Sequence, residues 1–262
     1  GGIGDVILFF PVIKTLKDLY PKAEIILTVE PRCKNIAEKN PYVKKVITFD
    51  LKNAPKLNDY LFFLNTLRKE NLDLAISIGR SPLVPILLFL SRARHRVGYS
   101  PNKLKFLYSK SVSLNQEQYA GKMYFDLLKG VGIDTDMLSP IPEITVPKEE
   151  ELWADNWFKE NNLSSEQKVI MIHPGASTIS KQKNIIKTWE TSKWIELINL
   201  LLQKDVKIIL AGGPDDKDDV EVILKKVDKS ENFINAYGQT KNLEQLAALI
   251  KKVNLLVCID SA

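Results

Sequence analysis

The sequence predicts an α/β protein built from two doubly wound halves that face each other across a cleft. Short β-branched runs alternate with amphipathic helical stretches, the pattern of a parallel sheet covered by helices on both faces. The alternation breaks once, at a proline-bearing stretch, and then restarts, which marks two domains. The chain has 262 residues, 45% hydrophobic and 26% charged, an ordinary globular composition.

The elements follow in order. After the glycine-containing opening "GGIGDVILFFP", Val12 to Tyr20 reads as helix and "AEIILTVE", "VKKVITFD" and "LDLAISIG" read as strands, each bounded by Pro, Asn or Gly. Leu57 to Glu70 supplies an intervening helix. "PLVPILLFL" is the longest apolar run, far short of the roughly 18–20 residues that span a bilayer. The interruption is "DMLSPIPEITVPKEEELWADNWFKENNLSSEQ", whose prolines and polar amphipathic helix place the boundary near Asn162 to Gln167. The expected domains are residues 1–163 and 164–262. Beyond the boundary, "KVIMIHPG", "VKIILAGGP", "NFINAYG" and "NLLVCIDSA" are strands. Trp194, Leu197, Ile198, Leu201 and Leu202 form the stripe of a helix with one buried face. The chain starts at a loop without a preceding strand and stops abruptly at "CIDSA", so both ends read as cut.

Net charge is +5, which suits an acidic small molecule or an anionic surface and gives little support to nucleic-acid binding. Cys33 and Cys258 lie far apart without CxxC spacing, against a disulfide scaffold or structural zinc and in favour of a reduced, intracellular setting.

The opening loop holds Gly2 and Gly4 against the start of a helix, yet it lacks the third glycine of a dinucleotide fingerprint and the lysine of a P-loop. Asp5 stands where a phosphate would sit, and its charge opposes one. The site therefore suits a neutral hydroxyl that must lose a proton, with Asp5 as candidate general base. The competing reading is that Asp5 only caps the helix. "HPGASTISKQKNIIKTWE" offers Ser177 and Thr178 and then Lys181, Lys183 and Lys187, a set fit for a diphosphate or simply a solvated basic loop. His173, at a strand end, reads as a structural hydrogen-bonding group. In "LAGGPDDKDDVEVIL", Asp215, Asp216, Asp218 and Asp219 either line the first turn of a helix, or supply a metal pair, or place one acid on a ribose. Asp260 and Ser261 follow a strand's carboxyl end, where open α/β sheets bind ligands. "SRARHRVGYSPNKLKFLYSK" interleaves basic and aromatic residues, either a solvated surface or a grip on an anionic glycolipid or membrane face.

Taken together, "GGIGDVILFFPVIKTLKDLYPKAEI", "RVGY", "IHPGAS", "KTWETSKWIEL", "LAGGPDD", "NLEQLAALI" and "CIDSA" follow one another as in the ADP-heptose:lipopolysaccharide heptosyltransferases, the family 9 glycosyltransferases, which the chain resembles over nearly its whole length. The resemblance implies a GT-B fold with Rossmann-like domains, acceptor in the first and nucleotide-sugar donor in the second. It implies an inverting reaction that uses no metal and no cofactor beyond ADP-heptose as donor substrate. Asp5 matches the family's general base, with Gly2 and Gly4 in the acceptor loop. Lys187 matches the lysine that neutralises the departing diphosphate, and Ser177, Thr178, Asp260 and Ser261 match its phosphate-contacting positions. Asp216 is assigned to the ribose. The implied acceptor is a lipopolysaccharide core sugar, with a cytoplasmic enzyme peripheral on the inner membrane. Two departures stand out: Glu190 replaces a usual Pro, and Tyr119 replaces a frequent His. The alternatives are a similar transferase or epimerase with another nucleotide sugar, and an inactive nucleotide-binding remnant.

Overall fold

The computed structural model describes residues 2–51, 55–100, 103–138, 140–175 and 189–259. Contacts divide the chain into a first unit, Gly1–Glu143, and a second, Ile144–Ala262.

In the first unit α1 runs Ile3–Leu19, earlier and longer than the periodicity predicts, and carries Pro11 within it. β1 (Ile25–Val29) and β2 (Val43–Thr48), joined through the short α2 (Lys34–Glu38), form a parallel pair. α3 (Leu57–Lys69) ends at Asn71, whose φ of 48° is the left-handed turn that Asn tolerates after a helix. β3 (Leu74–Ile76), β4 (His95–Tyr99) and β5 (Lys110–Val112) make a parallel sheet in the order β3-β4-β5. α4 (Leu83–Leu90) connects β3 to β4, and α5 (Ala120–Phe125) continues into a 3-10 turn over Asp126–Val131.

One strand, β4, arises where the sequence reads only as a basic, aromatic surface, and β5 starts at that stretch's last residue. Within "SRARHRVGYSPNKLKFLYSK", β4 keeps His95 exposed while Val97, Gly98 and Tyr99 are buried. Val97, Tyr99, Val112 and Leu127 then pack as one cluster. The arginines mask the apolar half of the strand. The chain comes so close at Gly98 that a Cβ there would lie 2.4 Å from Cζ of Tyr108, so the glycine makes room for the ring.

In the second unit α6 (Lys148–Glu160) leads to β6 (Val169–His173), α7 (Thr191–Leu202), β7 (Lys207–Leu210), α8 (Lys217–Lys226), β8 (Phe233–Asn235), α9 (Leu243–Ile250) and β9 (Leu255–Cys258). The four strands are parallel in the order β8-β7-β6-β9. Alternation along β6 and β7 feeds two cores. Val169, Met171 and Ile209 face Trp157, Phe158, Ala248 and Leu249, whereas Ile170, Ile172, Ile208 and Leu210 face Trp194, Ile198, Val220 and Ile223. Both sheet faces are thus buried, as parallel sheets require.

The division at Glu143/Ile144 corrects the expected boundary at 163/164. "KENNLSSEQ" is a helix stop and not a linker. Asn162 adopts φ 54°, and Leu163 N–H donates to Phe158 O at 2.8 Å, closing α6 before β6. α6 itself belongs to the second unit. Its Ala154, Trp157 and Phe158 are buried in that unit's core, and Glu150 accepts from Asn242, which caps α9, and from Gln245 of α9 at 2.8 and 2.9 Å.

Candidate functional site

α1 begins at Gly2, whose extended backbone (φ −84°, ψ −176°) leads into the first turn. The first N–H groups of a helix lack partners within it. Asp5, at the third helical position, reaches back so that Gly2 N–H donates to its Oδ2 at 2.6 Å. The capping role weighed from the sequence is therefore real, and it leaves the other oxygen available. Oδ1 accepts the Tyr124 hydroxyl, also at 2.6 Å. Asp5 and Gly4 are both half-buried. Arg32 stands beside the loop, its Nη2 3.5 Å from where a Cβ on Gly2 would lie.

Tyr124 sits on α5, which a set of side-chain contacts holds in place. Tyr99 at the end of β4 donates to Met123 O at 3.1 Å. Buried Asp126 accepts from Thr135 Oγ1 at 2.5 Å and from Gln118 Nε2 at 2.7 Å, and pairs with Lys122 at 3.1 Å. Burial, then the hydrogen bond to Asp5, then the Asp5 charge push the Tyr124 phenol well above its ordinary range; Arg80 opposes them. The phenol is thus a settled donor toward the carboxylate.

In the second unit the sheet reverses direction of growth at β6: β7 lies on one side and β9 on the other. His173 ends β6 and pairs in register with Cys258, which ends β9. A ligand in an open parallel sheet binds outside the carboxyl ends of strands at such a reversal. The segments leaving these two strand ends carry the sequence-predicted diphosphate residues. Ser177, Thr178, Lys187, Asp260 and Ser261 themselves lie outside the described residues.

Asp216, the residue expected at the ribose, is described. It is 4% exposed, its Oδ2 accepts Gly213 N–H at 2.8 Å, and His173 Nε2 approaches that oxygen at 3.6 Å. Its Oδ1 presses on the loop after β6, where a Cβ on Gly175 would fall only 1.6 Å away. The carboxylate is used inward as a brace between two loops. Asp219 accepts from Thr191 Oγ1 at 2.9 Å. Among the described residues no three His, Cys, Asp or Glu side chains gather as a metal site.

Residues 61–262 match the model of glycosyltransferase family 9 (heptosyltransferase). The chain belongs to this family. The matched stretch covers the second unit and most of the first, and leaves α1 outside it. Family 9 relatives extend the likeness to α1: lipopolysaccharide heptosyltransferase 3 of Escherichia coli K12 is 26% identical over 268 residues, covering 99% of this chain and 74% of the relative. Among solved structures, a family 9 glycosyl transferase from Veillonella parvula superposes with a TM-score of 0.78 at 21% identity, covering 98% of this chain and 72% of that one. Escherichia coli heptosyltransferase WaaC with ADP-2-deoxy-2-fluoro heptose gives 0.74 at 18% identity, covering 100% and 81%. The GT-B-like α/β class is shown by these likenesses, and the chain is a family 9 glycosyltransferase.

Tyr124, Arg80 and the His173–Asp216 contact escaped the sequence reading. Arg80 follows β3 within "IGRSP", at a strand's carboxyl end, so its position carried a signal. Tyr124 carried none, because it is 119 residues from its partner and stands in no motif.

Proposed function

We propose that this family 9 enzyme transfers heptose from ADP-heptose to a sugar of a lipopolysaccharide core, with inversion and without a metal ion. The observation that carries the acceptor half is the Asp5 carboxylate, pinned by Gly2 N–H and the Tyr124 hydroxyl at the start of α1. An acceptor hydroxyl attacks the anomeric carbon on the face opposite the diphosphate and gives its proton to Asp5. The bond from that carbon to the diphosphate oxygen breaks, and ADP departs with the electron pair. Lys187, with Ser177, Thr178, Asp260, Ser261 and nearby backbone N–H groups, stabilises charge on the leaving group. Support for the donor comes from the similar WaaC structure, which holds ADP-2-deoxy-2-fluoro heptose. Gly2 and Gly4 keep the acceptor loop free of side chains, and Asp216 supports the donor loop from beneath.

The acceptor is an anionic glycolipid, and the enzyme docks peripherally on the cytoplasmic face of the inner membrane. Residues 56–110 hold ten Lys and Arg against three Asp and Glu. The same stretch exposes Phe62 (76%), Phe89 and Phe106 (74%). α4 is apolar throughout, yet only Val84 and Pro85 are buried. Basic residues beside bare aromatic ones match an anionic bilayer surface. No described helix is long and apolar enough to cross a membrane.

The test is a pair of variants followed by transfer assay and calorimetry with ADP. Asp5→Ala abolishes transfer while ADP binding survives, and Lys187→Ala weakens ADP binding. Equal loss of ADP affinity in both would break this division of labour. Tighter binding of UDP than ADP would favour a different nucleotide-sugar donor, and absence of transfer with any donor an inactive binding protein.

A further inference from the structure

We infer that Tyr124 is the positioning residue of the acceptor site: its hydroxyl fixes the plane of the Asp5 carboxylate so that a remaining lone pair meets the acceptor hydroxyl. This rests on the reading of Asp5 as the base.

A carboxylate on a single helical turn can rotate about its terminal torsion, which is broad and roughly two-fold. One hydrogen bond leaves that rotation open; two bonds, one to each oxygen from different directions, close it. Here the directions are supplied by different elements. Gly2 N–H comes from the helix's own entrance, and the Tyr124 hydroxyl comes from α5, which packs against α1. An ionised carboxylate has about four lone-pair sites. After both bonds each oxygen retains acceptor capacity, so the base is oriented without being used up.

The phenol is suited to this task. With its own ionisation pushed upward, it stays protonated and remains a donor at neutral pH. α5 is itself held by Tyr99 through Met123 O and by the buried Asp126 network. A donor on a loosely held helix would not transmit direction; one braced at Met123 and Asp126, on either side of Tyr124, does. Such precision matters because a misplaced base costs rate rather than binding.

The test compares Tyr124→Phe, Asp5→Asn, their double variant and Tyr99→Phe, each checked for ADP binding as a measure of folding. Tyr124→Phe keeps the ring and removes only the hydroxyl. Its kcat falls about 10- to 100-fold while the donor KM stays within about two-fold. In the Asp5→Asn background the same change has no further effect, because the two act as one unit. Tyr99→Phe removes one brace of α5 and leaves the Tyr124 hydroxyl in place, so its kcat falls by less than that of Tyr124→Phe. A Tyr124 13Cζ resonance that moves in Asp5→Asn reports the contact independently of turnover. Full kcat in Tyr124→Phe, an equal loss in Tyr99→Phe, or an undiminished effect in the Asp5→Asn background overturns the inference and leaves the base reading intact. Full transfer by Asp5→Asn overturns both.

Discussion

Asp5, Asp59 and Asp216 occupy the same local device: each stands three residues after a helix entrance and accepts that entrance's backbone N–H. What separates them is the environment. Asp59 is exposed, Asp216 is sealed beneath Gly175, and Asp5 is half-buried with a phenol on its second oxygen. The contact at Gly175 makes a residue-scale prediction. A methyl group there must displace the Asp216 carboxylate and break its bond to Gly213, so Gly175→Ala lowers stability by about 2 kcal/mol, the usual cost of overpacking, and weakens ADP binding through the loop after β6. Denaturant unfolding and calorimetry check this. In Gly175→Ala/Asp216→Ala the losses are less than additive, since the second change vacates the space.

At the scale of elements, α5 and its 3-10 continuation depend on one buried carboxylate. Burial pushes Asp126 upward, but hydrogen bonds from Thr135, Gln118 and Lys122 and the charge of Lys122 outweigh it and hold it below the usual carboxylate range. A depressed folded pKa stabilises fully above the unfolded value of about 3.9, and that stability disappears as pH falls through the lower folded value. Unfolding curves of the parent from pH 7 to pH 2.5 therefore lose stability mainly below pH of about 4. Asp126→Asn removes the charge, costs about 1–3 kcal/mol at neutral pH through its poorer hydrogen bonds, and shows a flatter acid limb. An unchanged acid limb would mean that other carboxylates dominate it. Because α5 carries Tyr124, the variant also slows transfer.

For the whole molecule, each unit is a parallel α/β body with its own core, and the proposed chemistry divides between them: a carboxylate on the first, a diphosphate pocket on the second. The first unit also carries the bare apolar and basic stretch. Flotation with vesicles containing anionic lipid should retain the protein, and neutral vesicles should not. Phe62→Ser/Phe106→Ser reduces retention at least about five-fold, as the loss of about 1 kcal/mol or more of apolar insertion requires, with ADP binding unchanged. Equal retention on neutral vesicles, or none on anionic ones, would remove membrane docking from the proposal.

Alternation of β-branched runs and helical stripes determined the α/β class, most strands and helices α6 and α7, because a buried parallel sheet imposes its period locally. The ordered motifs were enough to mark the family resemblance, and "GGIGD" alone exposed Asp5, since an anion at a helix entrance is legible from neighbouring residues. The division at Glu143/Ile144, the strand hidden among arginines, the inward turn of Asp216 and the hand of Tyr124 on Asp5 were decided only by tertiary structure. Each depends on which side chain a distant segment delivers, and packing sets that where no sequence spacing records it.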